Sequence, residues 1–516
     1  PFLLSSRGYG FLWHNPAVGR VELGNNETRW VAEATPQLDY WITTGATPVE
    51  IMEHYSDATG HASEFPEWAA GFWQCKLRYH TQDELLSVAR EYKRRGLPLS
   101  MIIIDFFHWT LQGEWRFDPV AWPDPETMVR ELEEMEVKVM VSIWPAVNPL
   151  SNNFAEMQAR GLLVRTERGI PALMVFEDNR PEGPTYLHFY DATNPEARQF
   201  IWEQVREHYY RYGIKHWWLD ACEPEMHPLD PDNLRFYLGN GLAIANAYPV
   251  LHERGFYEHM RSTGEATPLN LCRSAWAGSQ RYGVVVWSGD ISSTFDALQV
   301  QVRAGLNIAL SGIPWWSSDI GGFYGGDPRS PAFRELIIRW FQYSAFCPIF
   351  RLHGYRELAV SEGSVKFMGG PNEVWSFGDE AYAIIRDLLF LRERLRPYIM
   401  EQMQLAHERG IPPMRPLFFD FPEDEACECV DDQFLFGPDL LVAPVLTEGA
   451  RQRDVYLPVS STWTDAWSGE IFDGGQRITA EAPLARIPLY LRADAHLPIQ
   501  AKANTNQDEI ERAISS

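Results

Sequence analysis

One pattern repeats between Glu67 and Gly354: a short run of β-branched or aromatic residues, a polar turn, and an amphipathic stretch of helical period. The runs predict eight strands: Gly71–Leu77, Leu99–Asp105, Val137–Pro145, Ile214–Asp220, Leu271–Trp276, Val284–Asp290, Asn307–Trp315 and Cys347–Gly354. The stretches predict helices that include Thr81–Arg94, Pro125–Met135, Pro195–Tyr210, Phe295–Gly305 and Ala332–Tyr343. Eight such units favour an α/β fold, a (β/α)8 TIM barrel, over an open doubly wound sheet.

The sequence on both sides of this region predicts flanking β-sandwich elements. We assign residues 1–63 to the remnant of an N-terminal β-sandwich, 64–405 to the barrel, 406–500 to a C-terminal β-sandwich and 501–516 to a polar tail. Residues 148–190 are rich in Pro, Gly and Asn and interrupt the third unit of the barrel. They predict an insertion, of the kind that often overhangs a ligand site.

Composition excludes several classes of partner. The chain has 45 Lys and Arg against 70 Asp and Glu, a net charge of −25, and it shows no basic patch that would bind nucleic acid or an anionic membrane surface. The chain contains no apolar run of about 18 residues, the length that would predict a membrane span. The start at Pro1 has neither an initiator Met nor a basic signal segment. We therefore expect a processed or excised piece of a cytoplasmic protein, or of a secreted or periplasmic one if a leader was removed; homo-oligomer formation stays open.

Titratable residues stand at the ends of the predicted strands. Asp105, Asp220 and Asp290 close three of them, Asp319 follows the seventh, and His353 lies in the eighth. Because the carboxyl ends of barrel strands meet on one rim, these five side chains are expected to converge there. Capping or ion pairing explains any one of them better than function does, whereas for all five together a functional site is the better interpretation.

Two facing carboxyl groups are the usual equipment for hydrolysing a glycosidic bond. Aromatic strand ends supply apolar faces for sugar rings, although packing in the barrel core explains them equally well: Trp217, Trp218, Trp276, Trp287, Trp315 and Trp316. No metal site is predicted, because His residues do not fall in ligand spacing. Residues 321–326 lack the Lys and Ser or Thr of a phosphate loop, and no GxSxG elbow occurs, so no cofactor is expected either.

Five motifs, in order, contain the strand-end residues: Trp217–Glu225, Arg273–Gln280, Trp287–Asp290, Ser318–Phe323 and Arg351–Gly354. Through them the chain resembles glycoside hydrolase family 31, the retaining α-glucosidases and α-xylosidases, from Arg7 to about residue 500. Members of that family usually carry a complete N-terminal β-sandwich and a second, distal C-terminal β-domain. Since neither is evident here, the resemblance implies a truncated or unusually short member.

The resemblance also implies roles for individual residues. Asp220 matches the nucleophile and Asp290 the acid/base of an exo-acting, two-aspartate double-displacement mechanism. Positions that hold sugar hydroxyls match Asp105, Arg273, Asp319 and His353. Positions that form the pocket walls match Trp218, Trp287 and Phe323. Glu223 and Glu225, which follow the nucleophile, could orient it or bind in the pocket, and a solvated surface position explains Glu225 equally well.

The expected substrate is an oligosaccharide or another α-glycoside. The segments Gly71–Tyr79 and Gly312–Trp316 look more like the α-xylosidase branch, which favours release of α-linked xylose. An α-glucosidase or an α-transglycosylase of the same family is the alternative. A catalytically decayed sugar-binding protein is a third interpretation, against which the presence of both Asp220 and Asp290 argues.

Overall fold

The chain folds around a barrel of eight parallel strands, and the computed structural model describes residues 1–179, 183–224, 230–358, 367–493 and 495–500. We number the strands β1 (Phe72–Gln74), β2 (Met101–Ile104), β3 (Lys138–Ile143), β4 (His216–Leu219), β5 (Asn270–Cys272), β6 (Val284–Trp287), β7 (Trp316–Ser317) and β8 (Phe350–Leu352). Their order in the sheet is β7-β6-β5-β4-β3-β2-β1-β8. A hydrogen bond of 3.1 Å from Ile349 N to Trp316 O joins the two outer strands, so the barrel is nearly closed and the predicted fold class is confirmed.

Helices connect these strands and cover the outside of the barrel. In order they are Gln82–Arg94, Pro125–Glu134, Phe154–Ala159, Pro195–His208, Gly241–Ile244, Tyr248–Ser262, Phe295–Leu310, Pro331–Ser344 and Asp379–Arg409. Thr81, Asp124 and Thr294 each accept a hydrogen bond from the backbone three residues on, which fixes where three of the helices begin. The five predicted helices are confirmed, and the other four of this series are additions to them: Phe154–Ala159, Gly241–Ile244, Tyr248–Ser262 and Asp379–Arg409.

The predicted strand Asn307–Trp315 is wrong. Helix Phe295–Leu310 runs into that segment, and the barrel strand starts only at Trp316. Leu298, Val302 and Leu306 are buried on one face of this helix at helical spacing. A short apolar run such as residues 306–310 cannot be assigned to helix or strand by pattern alone, and here the periodicity of the preceding turns decides for helix.

The flanking regions are antiparallel. Near the N-terminus lie a three-stranded sheet and a hairpin, followed by helix Pro48–Thr59: Phe2–Ser5, Tyr9–Trp13 and Tyr40–Thr44 form the sheet, and Gly19–Leu23 and Thr28–Ala32 the hairpin. After the barrel come helix Leu417–Asp420 and a six-stranded sheet of Met414–Arg415, Phe434–Phe436, Leu440–Val442, Leu489–Arg492, Thr462–Asp465 and Ile471–Asp473, with the pair Gln452–Leu457 and Gln476–Glu481 beside it. Phe434–Phe436 and Leu440–Val442 form an antiparallel pair, and Gly437 at φ +62° makes the turn between them.

The predicted insertion, 148–190, contributes strands to two small sheets. Leu173–Glu177 and Pro184–Phe189 form one of them with Ala146–Val147. In the other, Arg165–Thr166 pairs with Leu234–Phe236, which pairs in turn with Gly239–Asn240. The predicted tail, 501–516, lies outside the described residues, and the limits 1–63, 64–405 and 406–500 remain proposed domain boundaries. No helix in the described ranges combines the length and apolar character that crossing a bilayer requires.

Candidate active site

The predicted site residues lie at the carboxyl ends of the barrel strands. The residue directly after a strand is Asp105 for β2, Asp220 for β4, Arg273 for β5 and His353 for β8, while Asp290 and Asp319 come within the next turn after β6 and β7. Since all eight strands are parallel, these residues share one side of the barrel. Their side-chain contacts, given below, show that they meet at its rim.

The Arg273 guanidinium lies among three carboxylates. Its Nε donates to Glu223 Oε1 at 2.7 Å, its Nη1 donates to Asp290 Oδ2 at 3.4 Å, and Nε lies 3.8 Å from Asp220 Oδ1. Burial works against the charge of Arg273, but Asp220, Glu223 and Asp290 together outweigh burial and raise its pKa. One cation therefore sits beside both of the aspartates that the sequence nominates for catalysis.

The two aspartates differ in their access to water. The Asp220 side chain is 11% exposed, whereas that of Asp290 is 34% exposed. Asp220 Oδ1 also accepts a hydrogen bond of 2.8 Å from Ala221 N, and Ala221 has φ +53°, a conformation that residues other than Gly rarely adopt. The inner carboxylate is thus fixed by the backbone, and the outer one is open to solvent.

Asp105 and His353 form a buried polar pair. Asp105 Oδ1 accepts from Phe106 N at 2.7 Å, and its Oδ2 lies 3.5 Å from His353 Nε2. Burial, aided by the charge of Asp220, raises the pKa of Asp105 well above its ordinary value. Burial and the neighbouring Arg351 lower the pKa of His353 well below its ordinary value, so we assign a neutral imidazole to it.

Asp319 and Arg351 form a second buried pair. Arg351 Nη2 donates to Asp319 Oδ1, and both side chains are fully buried. Burial raises the pKa of Asp319, and the charge of Arg351 offsets this only in part. The Arg351 guanidinium also lies 5.6 Å from the ring centre of Trp218 and 5.7 Å from that of Trp287. Two of the predicted wall residues therefore flank the cation that holds Asp319.

Several buried polar atoms at this rim have no hydrogen-bond partner within the part of the chain that the structure describes. They are Asp319 Oδ2, His353 Nδ1, Trp218 Nε1, Trp287 Nε1, and Nε and Nη1 of Arg351. Because buried polar atoms nearly always have a partner, this concentration of unpaired donors and acceptors indicates a polar ligand. A molecule rich in hydroxyl groups, each both donor and acceptor, would pair with both kinds.

Aromatic rings line the same rim. The ring of Trp218 lies edge-on to that of Trp287, with centroids 5.5 Å apart, and 5.0 Å from the imidazole of His353. Phe323 lies 5.4 Å from the same imidazole. The three predicted wall residues thus surround the predicted polar ones and offer apolar faces beside hydrogen-bonding groups, the composition of a ligand pocket.

Comparison with known proteins identifies the architecture. Residues 62–402 match the model of the glycosyl hydrolases family 31 TIM-barrel domain, and residues 410–497 match that of the glycosyl hydrolase family 31 C-terminal domain. The chain belongs to glycoside hydrolase family 31. The family-31 alignment therefore covers the barrel with every predicted site residue and most of the C-terminal sheet region.

Individual family-31 relatives are also similar over long ranges. The chain is 52% identical over 357 residues to "Uncharacterized family 31 glucosidase ORF2" of Pseudescherichia vulneris, covering 69% of this chain and 66% of that protein. It is 35% identical over 518 residues to an α-xylosidase of Saccharolobus solfataricus, covering 99% and 66%. A solved family-31 α-xylosidase from a soil metagenome, complexed with xylose, superposes with a TM-score of 0.91 at 52% identity, covering 96% of this chain and 73% of that one. The chain thus spans 66% of the length of both curated relatives.

One aromatic cluster of this family-31 site was not predicted. It is made of Phe106, Phe107, Trp109, Leu77 and Phe323, with Trp144, Phe176, Tyr355 and Phe367 packed against them. Phe106 stacks on Trp144 at 5.4 Å, and Trp144 contacts Phe176 of the inserted hairpin at 5.4 Å. The position of Phe106 directly after Asp105 was a usable signal, whereas Phe176 reaches the rim only through the fold of the insertion.

Two polar residues also make contacts in the site that the sequence did not predict. Glu223 binds Arg273 through both carboxylate oxygens, at 2.7 and 3.3 Å, and Arg351 holds Asp319. Both stand inside the quoted motifs, so their presence was visible although their partners were not. Glu225 lies outside the described residues. In the described ranges no group of three or more His, Cys, Asp or Glu side chains is arranged to hold a metal ion.

Proposed function

We propose that the protein is a retaining, exo-acting α-glycoside hydrolase that releases α-linked xylose from oligosaccharides. The observation that carries this proposal is the pairing of Asp220 and Asp290 on one guanidinium at the carboxyl end of the barrel, the first buried and the second open to solvent. Two carboxyl groups beside one ligand pocket are what cleavage of a glycosidic bond requires.

The proposed reaction has two steps. The carboxylate of Asp220 attacks the anomeric carbon and forms a β-glycosyl ester, while Asp290 gives its proton to the departing oxygen. Asp290 then takes a proton from water, which attacks the same carbon and frees Asp220 and the sugar. Two inversions leave the sugar in its original α configuration. Arg273 and the amide of Ala221 favour the ionised form of the nucleophile.

The remaining polar residues are proposed to hold the sugar ring. Asp319 Oδ2 is a free acceptor for a hydroxyl group among the described residues, and Asp105 offers its second oxygen beside His353. The rings of Trp218 and Trp287 provide the apolar surface against which C–H groups pack. In this arrangement the hydroxyl groups of the substrate would satisfy the unpaired buried atoms.

Xylose is favoured as the sugar by two observations. The 52%-identical structure neighbour is an α-xylosidase complexed with xylose, and the relative aligned over 99% of this chain is an α-xylosidase. In addition, Phe106, Phe107 and Trp109 crowd the rim next to Asp105, and a pentose needs less room because it lacks the hydroxymethyl group on C5. Discrimination of that kind amounts to about 1–3 kcal/mol, or about 10- to 200-fold.

An α-glucosidase is the second candidate, because the Pseudescherichia relative is named a family-31 glucosidase. Transfer of the glycosyl ester to another sugar instead of water would give an α-transglycosylase by the same first step. A binding protein without turnover is disfavoured, since it would have no need of both Asp220 and Asp290.

Release of 4-nitrophenol from its α-xyloside and its α-glucoside tests these candidates together. We expect turnover of both, with the larger kcat/KM for the xyloside, and an initial product of α configuration by NMR. A larger kcat/KM for the glucoside would establish the second candidate. Sugar binding without release of nitrophenol by the wild-type chain would establish the binding protein, and an initial β product would overturn the retaining mechanism.

A further inference from the structure

Arg356, four residues beyond β8, has a role that the proposed mechanism does not assign. Its side chain is 1% exposed. Within the described residues its guanidinium donates to carbonyl oxygens of the segments around it: Gly322 O at 2.7 Å, Gly325 O at 3.4 Å, Ile320 O at 2.7 Å, His353 O at 3.0 Å and Asn372 Oδ1 at 2.6 Å. A planar guanidinium with five donors in fixed directions suits such a set of acceptors.

These acceptors belong to the loops that carry predicted sugar-binding residues. Ile320 directly follows Asp319, and Gly322 directly precedes Phe323, both in the loop after β7. His353 is itself an acceptor, through its own backbone carbonyl, in the loop after β8. One side chain therefore joins the backbone on both sides of the site residues in two adjacent loops.

The space around the guanidinium is shaped for it. A Cβ atom at Gly354 would lie 2.4 Å from Arg356 Cζ, and one at Gly321 would lie 2.9 Å from its Nη2. The ring of Phe333 lies under the guanidinium at 5.0 Å. Two glycines thus leave room for a close approach that any larger residue would block, and the cation can take only one position.

We propose that Arg356 is a positioning residue, which fixes the loops after β7 and β8 relative to each other so that Asp319, Phe323 and His353 contact the same sugar. This inference rests on the proposed glycosidase activity. Without the guanidinium, the carbonyl groups of Ile320, Gly322 and His353 would lose this donor, and the two loops would have to find new partners independently. A displacement of about 1 Å in such positioning groups can lower the rate by about 100-fold.

The chain contains a matched control in Arg392, on helix Asp379–Arg409. It is also 1% exposed and also donates only to carbonyl oxygens, at 2.7 to 2.9 Å: those of Ala70, Ala345, Cys347 and Pro348. These acceptors precede β1 and β8, so Arg392 lies at the amino end of the barrel, away from the proposed active site. Replacing Arg356 or Arg392 therefore removes the same kind of hydrogen bond, from a guanidinium to carbonyl oxygens, at opposite ends of the barrel.

The experiment compares Arg356→Lys with Arg392→Lys, each of which keeps the charge and loses the planar fork. Both variants should fold with a lowered Tm. For Arg356→Lys we expect kcat/KM for the 4-nitrophenyl α-xyloside to fall by about 10- to 100-fold with a raised KM. Arg392→Lys should keep kinetic constants close to those of the wild type. Equal kinetic constants in the two variants at a temperature below both melting points would overturn the proposal.

A double-mutant cycle with His353→Ala separates positioning from general loosening. If Arg356 acts through the loop of His353, the effect of Arg356→Lys on kcat/KM should shrink in the His353→Ala background, whereas that of Arg392→Lys on Tm should be unchanged there. Full additivity for Arg356→Lys would count against the proposal.

Should Arg356→Lys fail to fold, Asn372→Ala replaces it, because this change keeps the guanidinium and removes the acceptor of its Nε, together with the hydrogen bond of 3.0 Å from Asn372 Nδ2 to Cys75 O. It should lower kcat/KM in the same direction by a smaller factor, and no change would contradict the proposal. The wild-type chain is assayed before any variant. If it is inactive on both nitrophenyl glycosides, the proposed function itself is refuted.

Discussion

The two ends of the barrel use buried arginine in different ways. At the amino end, all three nitrogen atoms of the Arg392 guanidinium donate to carbonyl oxygens. At the carboxyl end, Arg273 contacts three carboxylates, and Arg351 keeps two nitrogen atoms without a partner among the described residues. A guanidinium whose nitrogen atoms all donate to carbonyl oxygens of the chain has no donor left for a ligand and acts only through the segments that it holds, whereas unpaired donors beside carboxylates remain available to a ligand.

The largest effect on activity is expected when the inner carboxylate, that of Asp220, is removed. Asp220→Ala should lower kcat by at least about 10⁴-fold while the chain stays folded, because the covalent step has no other nucleophile. Azide added to this variant should restore turnover of 4-nitrophenyl α-xyloside and give a β-glycosyl azide. Formation of an α-azide would show that Asp220 does not lie on the β face of the sugar.

Labelling provides an independent control for that assignment. A 5-fluoro-α-xylosyl fluoride should trap the glycosyl ester, and mass spectrometry of a digest should place the label on Asp220. A label on another carboxyl group, or an active enzyme that takes up no label, would rule out the proposed nucleophile.

Loss of the outer carboxylate should have a smaller effect that depends on the leaving group. Asp290→Ala should lower kcat/KM by about 10²- to 10⁴-fold on a xylosyl disaccharide, whose sugar leaving group needs a proton. The loss should be much smaller for xylosyl fluoride, whose leaving group needs little help. Equal losses on the two substrates would show that Asp290 does not act as the acid and would break the functional distinction between the two aspartates.

Replacing the buried acid Asp105 should stabilise the chain at neutral pH, whereas replacing a core residue usually destabilises it. Burial raises its pKa in the folded chain, so between the unfolded pKa, about 3.9, and the folded pKa the unfolded state releases its proton first. Stability of the wild type therefore falls as pH rises through that window. Asp105→Asn should raise Tm at pH 7, and the gain should vanish at about pH 3, where both states are protonated.

Thermal melting at several pH values checks this prediction, and activity provides the counterpart. Asp105→Asn should lose most hydrolysis while it gains stability, since a group poised for a ligand is strained without it. If Asp105→Asn instead lowered Tm at pH 7, Asp105 would be a residue that stabilises the fold. It would then no longer support the distinction between the ligand-binding end of the barrel and the opposite end.

The repeated strand and helix patterns were sufficient to predict the barrel, because each strand and its following helix are encoded locally. They failed at residues 307–315, where an apolar run is compatible with either structure. The strand-end aspartates were predictable because topology alone places the carboxyl ends together. The contact of Phe176 with Trp144 and the carbonyl contacts of Arg356 were not, since they join segments far apart in sequence through loops whose paths no local pattern fixes.

The smallest effect is expected at Thr294, a residue near the rim that caps a helix and is not expected to take part in the reaction. Thr294 lies four residues after Asp290, and its hydroxyl accepts a hydrogen bond of 3.1 Å from Ala297 N at the start of helix Phe295–Leu310. Thr294→Ala should lower the free energy of unfolding by about 1 kcal/mol, while Thr294→Ser should retain the cap. Both variants should keep the kinetic constants of the wild type. If Thr294→Ala lowered kcat/KM and Thr294→Ser restored it, the helix cap would be positioning Asp290, and the functional region would extend beyond the residues that line the pocket.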